Sequence, residues 1–149
     1  MPGSRVVDIL LLDLPVALWA DASAHTERFL AAMRTVAEKN KRGPVARLLC
    51  VVERLEGEFA EAAAPSELEL RAAAARRLKE VDVAYGAVRC ARDDLATLAD
   101  AYDAADKWCR THDMPELAAT KEVAAFRRWF LGQIVGQLDG DLPTPWPGA

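Results

Sequence analysis

Apolar positions recur every three or four residues along most of the chain, a period typical of amphipathic helices. The first such stripe begins after Pro15 and ends before Gly43. Proline is frequent at the start of a helix and glycine just after its end. A second begins at Pro44, so close to the first that the two helices are predicted to be antiparallel neighbours. The stripe positions are Leu18, Ala22, His25, Phe29, Ala32 or Met33, and Val36 in the first helix, and Val45, Leu48, Leu49, Val52, Leu55, Phe59 and Ala62 in the second.

Capping signals and apolar stripes predict three further helices. Ser66 and Glu69 have the spacing of a capping box, which indicates the start of a third, alanine-rich helix at the periphery of the protein. A fourth helix is expected over about residues 90–111, and a fifth follows the cap residue Thr120 and stops at Gly140. Their stripes are Ala91, Leu95, Leu98, Tyr102, Ala105 and Cys109 in the fourth helix, and Val123, Phe126, Phe130, Ile134 and Leu138 in the fifth.

A different pattern occurs in residues 5–12 and 81–88, where apolar and polar side chains alternate and β-branched side chains are frequent. These two segments can pair as a two-stranded ribbon if a helix packs on it. The chain is therefore predicted to be mainly α, a four- or five-helix bundle with a minor β-ribbon as an option. We expect one bundle domain over residues 1–140 and a tail rich in proline and tryptophan over residues 141–149.

Composition and charge narrow the class of protein. The 149 residues are 52% apolar and 28% charged, which suits one globular domain with its own core. A net charge of -4 argues against nucleic acid as a partner. Cys50, Cys90 and Cys109 share no C-x-x-C spacing and suit reduced thiols in the cytoplasm. The apolar N-terminal run imitates a signal peptide, but Asp8 and Asp13 interrupt it, so neither secretion nor a membrane span is expected.

No motif in the sequence indicates a reaction, a cofactor or a metal. There is no Gly-rich phosphate loop and no nucleophile elbow, and no E-x-x-H ligand pair occurs. His25 lies in the apolar stripe of the first helix, so a hydrogen-bonded interior or boundary histidine is favoured over a phosphotransfer residue. We therefore predict no catalytic, cofactor-binding or metal-binding residues, with His25 kept as the alternative phosphoacceptor.

Arg127 lies close to the middle of the last apolar stripe, where a guanidinium needs a carboxylate. Asp94 and Asp106, on the inner side and at the edge of the fourth helix, are the candidate partners. A structural ion pair is favoured, and a ligand-binding arginine is the alternative.

Two outward patches of small residues indicate surfaces for close approach of another helix. Cys50 and Gly57 lie opposite the stripe of the second helix, and glycines spaced by four lie beside Trp129 in the last helix. The predicted interaction surface comprises Cys50, Gly57, Trp129, Gly132, Gly136 and Trp146. Trp146 can reach the level of Trp129, so the tail is predicted to be a strap, on its own chain or across a dimer, rather than a recognition peptide.

Three stretches, LLDLPVALWADASAHTERFL, DAADKWCR and AAFRRWFLGQIVGQL followed by PTPW, resemble a group of small actinobacterial proteins. Members of that group occur alongside anti-sigma kinases and STAS-domain antagonists of partner-switching sigma-factor control. The sequence departs from the group at Lys121, where similar chains have a proline before the last helix. The resemblance implies a cytoplasmic regulatory or adaptor role exercised through protein contacts, and it assigns no functional residue.

The sequence thus favours a non-enzymatic regulatory adaptor that binds a protein partner and forms a homodimer. Two alternatives belong to other classes. One is a phosphotransfer bundle that acts through His25, and the other is a small-ligand receptor with Arg127 in its pocket.

Overall fold

The computed structural model describes residues 5–148, and five α-helices and a two-stranded antiparallel sheet account for most of that span. The predicted mainly α class with a minor ribbon is confirmed. Residues 1–4 and 149, the ends of the predicted domain and tail, lie outside the described residues. In chain order the elements are β1 (Val6–Pro15), α1 (Val16–Lys39), α2 (Pro44–Leu55), α3 (Glu58–Ala75), β2 (Glu80–Val88), α4 (Arg92–Thr111) and α5 (Lys121–Leu138).

The two strands pair in antiparallel register, with Ile9 opposite Tyr85. A bulge interrupts the ladder between Leu11 and Leu14, where Asp13 adopts a φ of 55° and its N–H donates to Asp82. One face of the sheet packs against the helices and contributes Ile9, Leu11, Val83, Tyr85 and Ala87 to the core. The strands therefore join the same core as the helices, which gives a ribbon of this size the packing it needs.

Helix side chains close both outer edges of the sheet. Along β2, the Ser66 hydroxyl of α3 donates to the Ala84 carbonyl at 3.2 Å and accepts from the Gly86 N–H at 3.0 Å. Along β1, the Gln137 amide of α5 donates to the Leu10 carbonyl at 2.9 Å and accepts from the Leu10 N–H at 2.8 Å. These side chains take the place of neighbouring strands, so the edges are not open to pairing with another chain at these positions.

The boundary between the second and third helices differs from the predicted one. α2 ends at Leu55, and α3 begins at Glu58 and continues through Pro65. Gly57 is thus an inter-helix residue, and Ser66 lies buried inside α3 instead of capping it. The prediction that Ser66 caps this helix was wrong because the Ser66 hydroxyl hydrogen-bonds backbone groups of β2. α3 is not peripheral either, since its Leu70 is fully buried.

The C-terminal tail folds back onto its own chain as a strap. Gly140 turns the chain with a φ of 99°, and the Trp146 N–H then donates to the Leu12 carbonyl of β1 at 3.0 Å. The Trp146 ring meets Trp129 edge-on, with ring centroids 5.5 Å apart, and lies 5.8 Å from the Phe126 ring. The sequence allowed a strap on the same chain or across a dimer, and in the structure the tail packs on its own chain.

Gly86 is expected to tolerate no side chain, because a Cβ there would lie 2.2 Å from the Ala62 carbonyl oxygen. Gly86→Ala should lower the free energy of unfolding in urea by about 3 kcal/mol or more, since overpacking forces the backbone of α3 away from β2. Gly132→Ala is the matched control, with no atom within 4 Å of the added carbon, and should be neutral or stabilising by up to about 1 kcal/mol. Equal effects of the two variants would contradict the close approach of α3 to β2.

The strap is expected to stabilise the fold through its tryptophan. Trp146→Ala should lower the free energy of unfolding by about 1–3 kcal/mol, because the ring leaves its contacts with Trp129 and Phe126. Leu142→Ala, in the same tail but 85% exposed, should change it by less than about 0.5 kcal/mol. An unchanged melting temperature for Trp146→Ala would show that the Trp146 ring contributes nothing to stability.

Candidate functional site

A cleft of about 580 Å³ lies between α1, α3, α4, α5 and β2. The α1 segment along it carries small residues, Ala20, Ser23 and Ala24, where larger side chains would fill the space. Aromatic and aliphatic side chains form most of its wall, among them Trp19, Phe59, Tyr85, Leu98, Phe126 and Phe130. A concave, mainly apolar site with a few polar groups is the usual form of a small-molecule site.

Arg127 is the buried cationic group of the cleft. Its side chain is 9% exposed, and Nη2 donates to Asp106 at 2.8 Å and to Asp103 at 3.3 Å. The guanidinium carbon lies 4.6 Å from the centre of the Tyr102 ring, close enough for a cation–π contact. Nη1 is buried and is the only such side-chain nitrogen or oxygen within residues 5–148 that lacks a hydrogen-bond partner. A buried charged donor without an acceptor is costly, so an acceptor oxygen at Nη1 would be stabilising.

Asp106 is the partner of Arg127 and also fixes the loop before α5. The side chain of Asp106 is 3% exposed, and its second oxygen accepts from the Ala119 N–H at 3.1 Å. Asp94 does not contact Arg127; it pairs with Arg54 of α2 at 3.0 Å. Angle counting placed both aspartates toward the interior, but their height along α4 decided the pairing. Asp94 lies in the first turn of α4, three turns from Asp106.

Asp103 is the second carboxylate at Arg127. It accepts from Arg127 Nη2 and also from the exposed Arg128. The resulting group contains two arginines and two aspartates, so the formal charges of these four side chains balance. A further anion would therefore join a neutral cluster and not an acidic one.

Glu67 is the carboxylate at another part of the cleft, and the sequence did not single it out. It accepts from the Tyr85 hydroxyl at 3.0 Å, and the Trp19 indole N–H lies within hydrogen-bonding reach. Burial raises the pKa of Glu67, against the opposing effect of the Tyr85 hydrogen bond and of Arg71. Its position next to Ser66 explains why it reaches Tyr85, because the Ser66 contacts hold this turn of α3 against β2.

The two polar groups lie at opposite ends of the cleft. Trp19 of α1 lies near Glu67, whereas Thr26 of α1 lies near Tyr102, whose ring packs on Arg127. Trp19 and Thr26 are seven residues apart on one helix, which corresponds to about 10 Å along its axis. Glu67 and Arg127 thus lie near positions of α1 that are about 10 Å apart along that helix, and apolar side chains line the cleft around them.

His25 lies outside this cleft, in a second depression with Asp21, Arg28 and Glu122. Its Nε2 lies 2.9 Å from the Leu117 carbonyl oxygen, and because a carbonyl only accepts, this nitrogen carries the proton. The ring also stacks on Phe29, with centroids 5.3 Å apart. These contacts describe a half-buried, hydrogen-bonded boundary histidine, the interpretation that the sequence favoured.

The surface residues predicted for partner contacts also lie outside the cleft. Cys50 and Gly57 are exposed, and Gly132 has open space around it. The chain's own tail takes the groove beside Trp129, whose indole N–H donates to the Thr144 carbonyl at 3.1 Å. Gly136 faces the same tail, because a Cβ there would lie 3.0 Å from a carboxylate oxygen of Asp141.

Residues 5–148 contain no group of three or more His, Cys, Asp or Glu side chains placed to hold a metal ion. In the same span, no helix is long and apolar enough to cross a membrane. Comparisons with protein-family models, with curated proteins and with solved structures found no match to this chain. The resemblance to partner-switching proteins therefore stays a prediction.

The two tyrosines of the chain, Tyr85 and Tyr102, are expected to stay protonated above pH 10 while the protein is folded. Burial raises the pKa of both, and the Glu67 charge raises that of Tyr85 further. The unfolded chain then releases protons that the folded chain keeps, so the free energy of unfolding should fall as the pH rises through 10. Phenolate absorbance measured against pH, with guanidinium-unfolded protein as the control, checks this. Titration of both folded tyrosines near pH 10 would contradict it.

Proposed function

We propose that this protein is a small-ligand-binding helical receptor whose cleft takes an amphipathic molecule with a carboxylate head group. One observation carries the proposal: Arg127, a buried arginine in the cleft wall, has one nitrogen held by aspartates and the other without a partner. A ligand oxygen at Nη1 supplies the missing acceptor.

A carboxylate suits this position better than a neutral oxygen. Hydrogen bonds between ionised partners are about twice as strong as neutral ones, and Arg127 is already ionised and oriented by Asp106. The Tyr102 ring supports one side of the guanidinium and restricts its movement. The donor is therefore positioned before a ligand arrives, which reduces the entropy lost on binding.

The rest of the cleft suits an apolar ligand body. A volume of about 580 Å³ is within the range of about 300–1,000 Å³ that small-molecule sites have. The aromatic walls at Phe59, Phe126 and Phe130 supply apolar area for burial, worth about 25 cal/mol per Å² removed from water. Head-group pairing and apolar burial together support an amphipathic acid.

The two other functions considered from the sequence have less support from the structure. The adaptor hypothesis relied on a rich helical core, the absence of a reaction motif and two outward patches of small residues, and the tail of the same chain packs on part of the patch beside Trp129. The phosphotransfer hypothesis needs an accessible imidazole nitrogen, and Nε2 of His25 donates to a backbone carbonyl. A regulatory role in the cytoplasm, a protein partner and a homodimer stay predictions from the sequence, and ligand binding would give such a regulator its input.

Calorimetric titration with octanoate and octanol tests the proposal, because the two differ only in the head group. Octanoate should bind the wild-type protein at least about tenfold more tightly, the equivalent of about 1.4 kcal/mol. Arg127→Lys keeps a cation for Asp106 but loses the second nitrogen, so it should weaken octanoate about tenfold and leave octanol unchanged. Arg128→Lys, an exposed neighbour, is the matched control and should bind both like the wild type.

The wild-type comparison decides the proposal even if Arg127→Lys does not fold. Equal affinities for octanoate and octanol, or no binding of either, would contradict a carboxylate-binding cleft.

A further inference from the structure

The cleft presents a second recognition point opposite Arg127, and it has the opposite charge. Glu67 lies at the far end, where its carboxylate accepts from the Tyr85 hydroxyl at 3.0 Å and the Trp19 indole N–H lies nearby. Both donors are neutral, so they orient Glu67 without balancing its charge. A carboxylate has room for about four hydrogen bonds in all, which leaves capacity for a ligand donor.

Aromatic rings line the part of the cleft next to this carboxylate. Tyr85 meets Phe130 edge-on with centroids 5.0 Å apart and Phe59 at 6.5 Å, and Trp19 completes the wall of the cleft at this end. Ring faces attract an ammonium group, and a carboxylate beside them adds a direct charge partner. The combination is typical of sites that bind an organic ammonium.

Two other charged residues line the cleft, Glu27 and Arg71, and both are exposed to solvent. Arg71 lies near enough to Glu67 to lower its pKa, but in the described part of the chain Glu67 forms no salt bridge within 4.0 Å. Water and salt screen such exposed charges. The half-buried Glu67 and the buried Arg127 therefore dominate recognition at their two ends.

We infer that the ligand is bipolar: an elongated molecule with a carboxylate on Arg127 and an ammonium on Glu67, joined by an apolar body that spans the cleft of about 10 Å between them. This inference rests on the proposed function and adds the second head group. An ω-amino acid with a chain of about eight carbons has the required length and chemistry, and serves as the probe.

Calorimetry with ω-aminooctanoate and octanoate tests the inference on the full-length protein. The two acids share the carboxylate and the chain length and differ in the terminal ammonium. The wild-type protein should bind ω-aminooctanoate about tenfold more tightly than octanoate. The shorter ω-aminobutyrate cannot reach both Arg127 and Glu67, so it should not bind more tightly than octanoate.

Glu67→Gln keeps the shape and hydrogen-bonding capacity of residue 67 and removes its charge. It should abolish the preference and make ω-aminooctanoate the weaker ligand, because an ammonium then enters an apolar site without a charge partner. Glu69→Gln, an exposed glutamate on the same helix, is the matched control and should keep the tenfold preference.

The outcomes separate the two proposals. If octanoate binds as tightly as ω-aminooctanoate, or more tightly, the bipolar ligand is overturned while carboxylate binding at Arg127 stands. A preference that survives Glu67→Gln would overturn the role of Glu67. If neither acid binds the wild-type protein, the proposed function fails together with the inference.

Discussion

Both strands of a two-stranded sheet are edge strands, and the hydrogen bonds that cover these edges position the helices of this protein. Each strand has one row of backbone groups that its single neighbour cannot satisfy. Ser66 supplies the partners for β2, and Gln137 supplies them for β1, so α3 and α5 must each lie close along one strand. The close approach of α3 also explains Gly86, where any side chain would collide with the helix backbone.

The same contacts place the two ends of the cleft. Glu67 follows Ser66 directly, so the turn of α3 that closes β2 also directs a carboxylate toward Tyr85. Arg127 lies on the helix that closes β1, and its pairing with Asp106 sets α5 against α4. These two charged groups of the cleft are thus held by elements whose positions the sheet requires.

The tail also covers part of the outer edge of β1, in addition to the helices. The Trp146 N–H bonds the Leu12 carbonyl of β1, and the Trp146 ring packs on Phe126, whose side chain also lines the cleft. Phe126 therefore contacts the strap on one side and lines the cleft on the other. The strap and the cleft share this aromatic residue, so packing at one can affect the other.

Much of the fold followed from local patterns in the sequence. Apolar periods, prolines and glycines predicted the extents of α1, α4 and α5, and Thr120 caps α5 as its position indicated. Helix periods and caps act within a few residues, so a sequence displays them directly. The prediction failed at the boundary between α2 and α3, because a serine can cap a helix or serve a distant strand, and only the distant partner decides which.

The sequence by itself determined that Arg127 would lie inside and would need a carboxylate, because helical period sets the face of every residue. Only the tertiary structure decided that Asp106 and Asp103, and not Asp94, supply it, because this depends on how far one helix is shifted along another. Glu67 shows the same limit: its sequence neighbourhood is an ordinary exposed helix, and its role arises from Tyr85 and Trp19, which lie far away in the chain. The face of a helix on which a residue lies follows from the local sequence, whereas the contact between two helix faces depends on the tertiary structure.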